Sequence, residues 1–151
     1  MDNILLKNRL EELEADAGFP TNPQYLEVVV PDNKYHDFCM LLKTSHDLLF
    51  DYLISMTAVD WNDHFMVVSH ITSTRYRHTL VVKTRLNDRE EPVVETVSDI
   101  WKTAEYHERE VFDLFGIRFR HHPDLRRLFL EDEYGYPLRK DFVDESRMIV
   151  K

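Results

Sequence analysis

The sequence predicts an α+β domain: an antiparallel sheet of about four strands with helices on one face, followed by an extended irregular C-terminal tail. Its 151 residues suffice for one domain, and 43% of them are hydrophobic, which is typical of a folded globule. Runs of alternating apolar and polar residues lie between residues 50 and 86, and short connections between such runs favour antiparallel neighbours. After residue 116 neither a helical nor a strand period is sustained.

The first elements follow in chain order. Residues 2–17 have leucines at helical spacing and are followed by Gly18, so they predict an amphipathic helix. Residues 25–30 alternate and are rich in β-branched side chains, which favours a strand. A second helix is expected to begin at Asp32, directly after a proline.

A strand-rich region comes next. Alternating runs at residues 50–58, 65–71 and 80–86 predict three strands joined by short turns. A further short strand is predicted at residues 93–97. Ser98 is then expected to cap a helix, because a serine hydroxyl accepts hydrogen bonds from free N–H groups at a helix start.

The helix that ends near Gly116 carries a carboxylate on its apolar face. Ala104, Glu108, Val111 and Phe115 share that face, and Gly116 stands where a left-handed helix stop belongs. A buried carboxylate needs a positive or donor partner, or else it takes up a proton. The alternative is a solvated helix face with weak ion pairs. Four basic residues downstream are the candidate partners: Arg126, Arg127, Arg139 and Lys140.

The tail differs from the rest of the chain in charge. Residues 117–142 hold six basic and five acidic residues, whereas the whole chain has a net charge of −9. Long aperiodic segments in compact domains are uncommon unless they are functional. We therefore divide the chain into an α+β core domain at 1–116 and a docking tail at 117–151 that wraps a partner. The alternative is a tail that folds back over its own sheet.

Composition excludes several classes of function. A net charge of −9 argues against nucleic-acid binding and against docking on anionic lipid. Cys39 is the only cysteine, so the chain alone offers no thiolate-held cluster. No apolar run reaches the length of a membrane span. His107 and Glu110 have the spacing of a carboxylate–histidine metal site, but no second motif of that kind accompanies them.

Residues 107–129 and 135–142 resemble the signature of one family, the C-type subunit of the proton-pumping NADH:quinone oxidoreductase (respiratory complex I, NDH-1). The resemblance extends over about 35 residues, and the order of the predicted elements before it is also similar. The matching positions are Glu108, Arg109, Glu110, Asp113, Gly116, Phe119, His122, Pro123, Leu125, Arg126, Arg127, Pro137, Leu138, Arg139, Lys140, Asp141 and Phe142.

The resemblance implies a non-catalytic scaffold subunit of the peripheral arm. Such a subunit packs on the D-type subunit and holds no flavin, iron–sulfur cluster or nucleotide, while the complex uses FMN, iron–sulfur clusters, NADH and quinone. The expected location is peripheral, on the cytoplasmic side of the cell inner membrane, as a stand-alone subunit of a translocase. Ten residues are expected to form structural or interface ion pairs: Glu108, Arg109, Glu110, Asp113, His122, Arg126, Arg127, Arg139, Lys140 and Asp141.

Two other hypotheses stay open at this point. The motif is shared with the matching subunit of a membrane-bound nickel–iron hydrogenase and of a ferredoxin-dependent or photosynthetic NDH relative, so the chain also resembles that subunit. A stand-alone metallo-hydrolase that uses His107, Glu110 and His122 is the third possibility, which elemental analysis of the protein tests.

Overall fold

The structure is a computed structural model that describes residues 3–21, 24–126 and 135–139. Within these residues a four-stranded sheet, a separate two-stranded sheet and three α-helices form the fold. The α+β class predicted above is confirmed. The elements are α1 (Asn3–Leu13), β1 (Leu26–Val30), α2 (Tyr35–Thr44), β2 (Tyr52–Asp60), β3 (Phe65–Ser73), β4 (His78–Leu86), β5 (Val93–Glu95), α3 (Ala104–Phe115) and β6 (Arg118–Arg120).

The large sheet is mixed, with strand order β1-β4-β3-β2. The series β2-β3-β4 is antiparallel as predicted, but β1 pairs with β4 in parallel, with Leu26 opposite Leu80. The reason is the connection through α2. A helical crossover joins strands that run in the same direction, so β1 has the same direction as β2 and therefore the same direction as β4. Periodicity does not reveal this direction.

The core lies on one face of the large sheet. Val28, Val67 and Ile71 point into it, together with helix residues such as Leu10 and Phe115. The buried side chains of β3 and β4 on the opposite face lie outside this core; they are Val68 and Val81. The prediction that the helices lie on one face is therefore confirmed.

Several element boundaries differ from the predictions. Helix α1 ends at Leu13 instead of residue 17, because the chain turns so that Gly18 pairs with Val29 of β1. Ser98 does not cap α3. That helix begins at Ala104, and the Ser98 hydroxyl instead contacts the hydroxyl of Thr96.

The first residues of the predicted tail pack with the core. Ile117 is fully buried and Phe119 is 2% exposed. Strand β6 pairs in parallel with β5, with Phe119 opposite Val94. Strand β6 follows α3 directly, so this pairing places the chain after the helix beside β5. The division of the chain at residue 116 stays a prediction.

Candidate functional site

Helix α3 carries the predicted site, and its local structure follows the sequence closely. Ala104, Glu108, Val111 and Phe115 are all buried on its core face. Gly116 adopts the left-handed conformation with φ of +78°, and its N–H donates to the Phe112 carbonyl oxygen at 2.8 Å. Glycine takes this conformation without the steric penalty of a Cβ atom, so the predicted helix stop is confirmed.

Glu108 is fully buried, and neutral groups hold its carboxylate. The Val97 N–H donates to Oε2 at 2.8 Å, and the Thr96 hydroxyl is hydrogen-bonded to Oε1. His122 Nε2 lies 3.8 Å from Oε1. Burial raises the pKa of Glu108 to about 7, although the bonds from Thr96 and Val97 act in the opposite direction. Burial outweighs them because removing a charge from water costs more free energy than hydrogen bonds from two neutral donors restore.

The predicted pairing of Glu108 with a basic residue of the tail is not found among the described residues. Arg126 instead pairs with Asp124 at 3.1 Å, and both side chains are exposed. Arg139 reaches the Phe115 carbonyl at the end of α3. Three further predicted residues lie outside the described part of the chain: Arg127, Lys140 and Asp141.

His122 fastens the chain after β6 to α3. Its Nε2–H donates to the Glu105 carbonyl oxygen at 3.0 Å, while its Nδ1 accepts the Asp124 N–H at 3.0 Å. Both ring nitrogens are therefore satisfied in the neutral Nε2–H tautomer. The preceding residue, His121, has a positive φ of 66° and its Nδ1 lies 2.5 Å from Glu95 Oε1. This turn brings His122 to the buried side of α3.

Residues 135–139 return to the end of α3. The Leu138 N–H donates to the Leu114 carbonyl oxygen at 3.0 Å. The Arg139 guanidinium lies 5.2 Å from the centre of the Phe65 ring and 5.0 Å from that of Tyr136. A Cβ atom at Gly116 would stand 2.6 Å from the Tyr136 ring. This part of the tail is thus attached to its own core.

The remaining predicted residues on α3 differ in how far they are buried. Asp113 is fully buried and Glu110 is half-buried. Arg109 is also half-buried, and its Nε is shielded from solvent with no hydrogen-bond acceptor among the described residues. Two exposed apolar side chains accompany this region: Tyr106 is 49% exposed and Leu138 is 51% exposed. Whether these charged residues form ion pairs at an interface stays a prediction.

The metal hypothesis finds no site in the described part of the chain. There, no three histidine, cysteine, aspartate or glutamate side chains are grouped so that they could hold a metal ion. His122, one of the three proposed ligands, already uses both ring nitrogens.

Sequence reasoning missed a buried ion pair near the same end of α3. Asp60, whose side chain is 2% exposed, accepts two hydrogen bonds from Arg89, one of them at 2.8 Å. The Arg89 guanidinium also lies 4.9 Å from the Phe65 ring centre, so Arg89 and Arg139 contact one ring. The two partners are separated by 29 residues. The sequence indicated only that the residues around Asp60 form a turn.

Residues 28–147 match the family described as "Respiratory-chain NADH dehydrogenase, 30 Kd subunit". The chain belongs to this family. Among the relatives of this respiratory-chain subunit, the C subunit of the NADH-quinone oxidoreductase of Polynucleobacter necessarius subsp. necessarius is 36% identical over 148 residues, which cover 91% of this chain and 71% of that protein. The C 2 subunit of the same kind from Rhizobium meliloti is 41% identical over 117 residues, 75% of this chain and 63% of that one.

Some relatives of this respiratory-chain subunit are much longer. The C/D subunit of the NADH-quinone oxidoreductase of Phocaeicola vulgatus is 48% identical over 121 residues, which cover 79% of this chain but only 23% of that protein. The chain therefore spans about a quarter of such relatives.

A solved structure of an archaeal respiratory membrane complex, the membrane-bound sulfane sulfur reductase, contains a similar chain. The TM-score is 0.79 and the identity 30%, over 93% of this chain and 85% of that one. Among the described residues of the respiratory-chain subunit, the helices are too short or too polar to cross a membrane.

Proposed function

We propose that this chain is a non-catalytic scaffold subunit in the peripheral arm of NADH:quinone oxidoreductase and that it packs on the D-type subunit. The complex would couple electron transfer from NADH to quinone with proton translocation. The relatives named as C/D subunits support this pairing, because in them a region similar to this chain is about a quarter of one longer polypeptide. Because the C-type and D-type regions are parts of one polypeptide in those relatives, we expect the separate C-type and D-type subunits to lie side by side.

The observation that carries the proposal is the environment of Arg109. Its Nε is shielded from water and has no acceptor among the described residues. A desolvated donor without an acceptor costs free energy, which an oxygen atom of a neighbouring subunit would offset. The exposed side chains of Tyr106 and Leu138 lie on the same helix and beside its end, and aromatic and apolar anchors with arginine are enriched at interface centres.

The internal contacts sort the predicted residues into two roles. Glu108, His122 and Arg139 have their described contacts within the chain, so we assign them to positioning the tail. Arg109, Glu110 and Arg126 are at least partly exposed on the surface, and we assign them to the interface.

We place the electron carriers in other subunits. Cys39 is the only cysteine of the sequence and it is buried, where burial raises its pKa well above the ordinary value. A thiol of this kind is a poor cluster ligand, because ligation requires the thiolate. FMN, the iron–sulfur clusters and the NADH and quinone sites would then belong to partner chains, with this subunit attached peripherally on the cytoplasmic side of the inner membrane.

Co-expression with the D-type subunit of the same organism tests the proposal. We expect R109E to lower recovery of the D-type chain at least tenfold, because truncating or reversing a desolvated charge at an interface costs about 2–5 kcal/mol. R126E should weaken recovery less, since Arg126 is exposed and already paired. R75E provides the control for a charge reversal, because Arg75 is an exposed arginine in the β3–β4 turn and not a residue of α3. If R109E and wild type recover the D-type chain equally, this interface is wrong.

A second candidate is the matching subunit of a related respiratory complex with another electron donor or acceptor. The likeness to a chain of the archaeal sulfane sulfur reductase complex favours it. Assaying the purified native complex with NADH and with reduced ferredoxin separates the two candidates.

A further inference from the structure

Glu108 is connected to the protein surface by two hydroxyl groups. Its Oε1 is hydrogen-bonded to Thr96 Oγ1, and Thr96 Oγ1 lies 2.8 Å from Ser98 Oγ. Thr96 is 4% exposed, whereas Ser98 is half-buried. Both line a surface cavity of about 380 Å³ whose other walls include Asp99, Lys102 and Glu105. A continuous hydrogen-bonded path thus leads from the buried carboxyl to solvent.

The same path satisfies Glu108 in both of its protonation states. When Glu108 is ionised, the Thr96 hydroxyl donates to Oε1, and the Ser98 hydroxyl donates to Thr96. When Glu108 carries a proton on Oε1, the carboxyl donates to Thr96, and Thr96 donates to Ser98. The Val97 N–H donates to Oε2 at 2.8 Å in either case. Because a hydroxyl both donates and accepts, only hydrogen positions need to change.

Within the described residues, the groups around Glu108 do not include a cation that would fix it as a carboxylate. Helix α2 contributes the neutral side chains of Tyr35 and Cys39, and Asp99 and Glu105 add negative charge. His122 also faces Glu108, with its Nε2 at 3.8 Å from Glu108 Oε1. Both ring nitrogens of His122 already have hydrogen-bond partners in the neutral ring. A buried carboxylate in such surroundings is neutralised by a proton and not by an ion pair.

We propose that Glu108 is a proton-binding site of this subunit and that Thr96 and Ser98 form the path by which its proton exchanges with the cavity. In the release step the Glu108 O–H bond breaks and its proton passes to Thr96 Oγ1. Thr96 gives its own proton to Ser98 Oγ, and Ser98 gives one to a water molecule in the cavity. One proton leaves the carboxyl, one reaches water, and no group changes its oxidation state.

This site is distinct from the proposed docking surface. Glu108 is fully buried on the core face of α3, whereas Arg109 is half-buried and, as the next residue along the helix, points in a different direction. Ionisation of Glu108 places a negative charge 3.8 Å from Nε2 of His122, the residue that fastens the start of the tail. The site therefore links the protonation of one buried group to the electrostatics of that attachment.

Carbon-13 NMR of the glutamate carboxyl groups in the 151-residue chain tests the proposal. E108Q identifies the Glu108 signal by its loss. We expect that signal to titrate more than one pH unit above those of exposed glutamates. T96V should raise its midpoint by about one further unit, since the ionised form loses its hydroxyl donor. T84V provides a matched control, because Thr84 is a buried threonine whose hydroxyl has no hydrogen-bond partner among the described residues.

The path itself is tested by S98A, which leaves all direct contacts of Glu108 in place. In wild type the Glu108 signal should move continuously with pH, whereas S98A should broaden it near the midpoint because proton exchange is slower. Two results would overturn the proposal: a wild-type Glu108 that titrates with the exposed glutamates, or an S98A protein whose signal behaves like that of T84V. Should T96V fail to fold, the wild-type and S98A titrations still decide the matter.

Discussion

The guanidinium of Arg139 donates a hydrogen bond from Nε to the carbonyl oxygen of Phe115, the last residue of α3, at 2.5 Å. The carbonyl groups at the end of a helix lack intrahelical partners, and a cation there also complements the helix dipole. Arg139 thus provides a hydrogen-bond donor for the last carbonyl group of the helix and attaches residues 135–139 to the core.

Substitution of Arg139 should destabilise the fold. R139A removes the bond to Phe115 and the ring contacts with Phe65 and Tyr136, and we expect the free energy of unfolding to fall by about 2 kcal/mol. Urea denaturation followed by circular dichroism measures this loss. R126A serves as the control, because Arg126 and its partner are exposed and its removal should leave the midpoint almost unchanged.

Alanine at Gly116 should be poorly tolerated for two reasons. The residue has a φ of +78°, and an added Cβ would stand 2.6 Å from the Tyr136 ring and 2.8 Å from Arg139 Nη2. We expect G116A to lower stability by about 1–3 kcal/mol and to displace the Tyr136 ring, which near-ultraviolet circular dichroism detects. A Cβ at Gly18 would meet no atom within 4 Å, so G18A should retain both the wild-type stability and the aromatic signal.

The ion pair of Asp60 and Arg89 should be costly to break from either side. Asp60 is nearly inaccessible to solvent and accepts two bonds from Arg89. Removal of the Asp60 charge takes the carboxylate away from the Arg89 guanidinium, whose side chain is only 22% exposed, so D60N should destabilise the protein by about 3 kcal/mol. The control is D63N, because Asp63 is exposed and lies 3.9 Å from Arg85. Equal urea midpoints for D60N and D63N would contradict this assignment.

The stability of the chain should depend on pH through Glu108. Its pKa is about 7 in the folded protein and 4.5 as an ordinary glutamate, so the folded state binds more protons between these values. The stabilisation is complete below pH 4.5 and is lost as the pH rises through 7, by on the order of 3 kcal/mol.

E108Q separates this dependence from other titrations. Burial lowers the pKa of His78, so His78 acts in the opposite direction and costs stability as the pH falls below 6.5. The difference between the unfolding free energies of wild type and E108Q cancels that contribution. It should favour wild type progressively more from pH 8 down to pH 5. A difference that is constant over this range would show that Glu108 does not titrate there.

The sequence was sufficient for those parts of the fold that local patterns determine. The left-handed stop at Gly116 and the burial of Glu108 follow from helical spacing and from glycine's freedom at positive φ. The three antiparallel strands follow from alternation and short turns. These features depend on residues close together in the chain, where periodicity is informative.

Contacts between distant segments escaped prediction. The partners of Glu108 are a threonine hydroxyl and a backbone N–H, since Thr96 and Val97 lie where β5 ends. No charge pattern indicates such neutral donors. The parallel direction of β1 and the pairing of β6 with β5 likewise depend on how the helices cross, and not on the composition of those strands.

Purification of the native complex through a tag on this chain tests the scaffold assignment most directly. We predict that the D-type subunit elutes in equal amount, that the eluate contains flavin and iron and oxidises NADH with quinone, and that the chain purified alone contains neither. A chain that elutes without a D-type subunit, or a redox centre that remains with the isolated chain, would contradict the assignment.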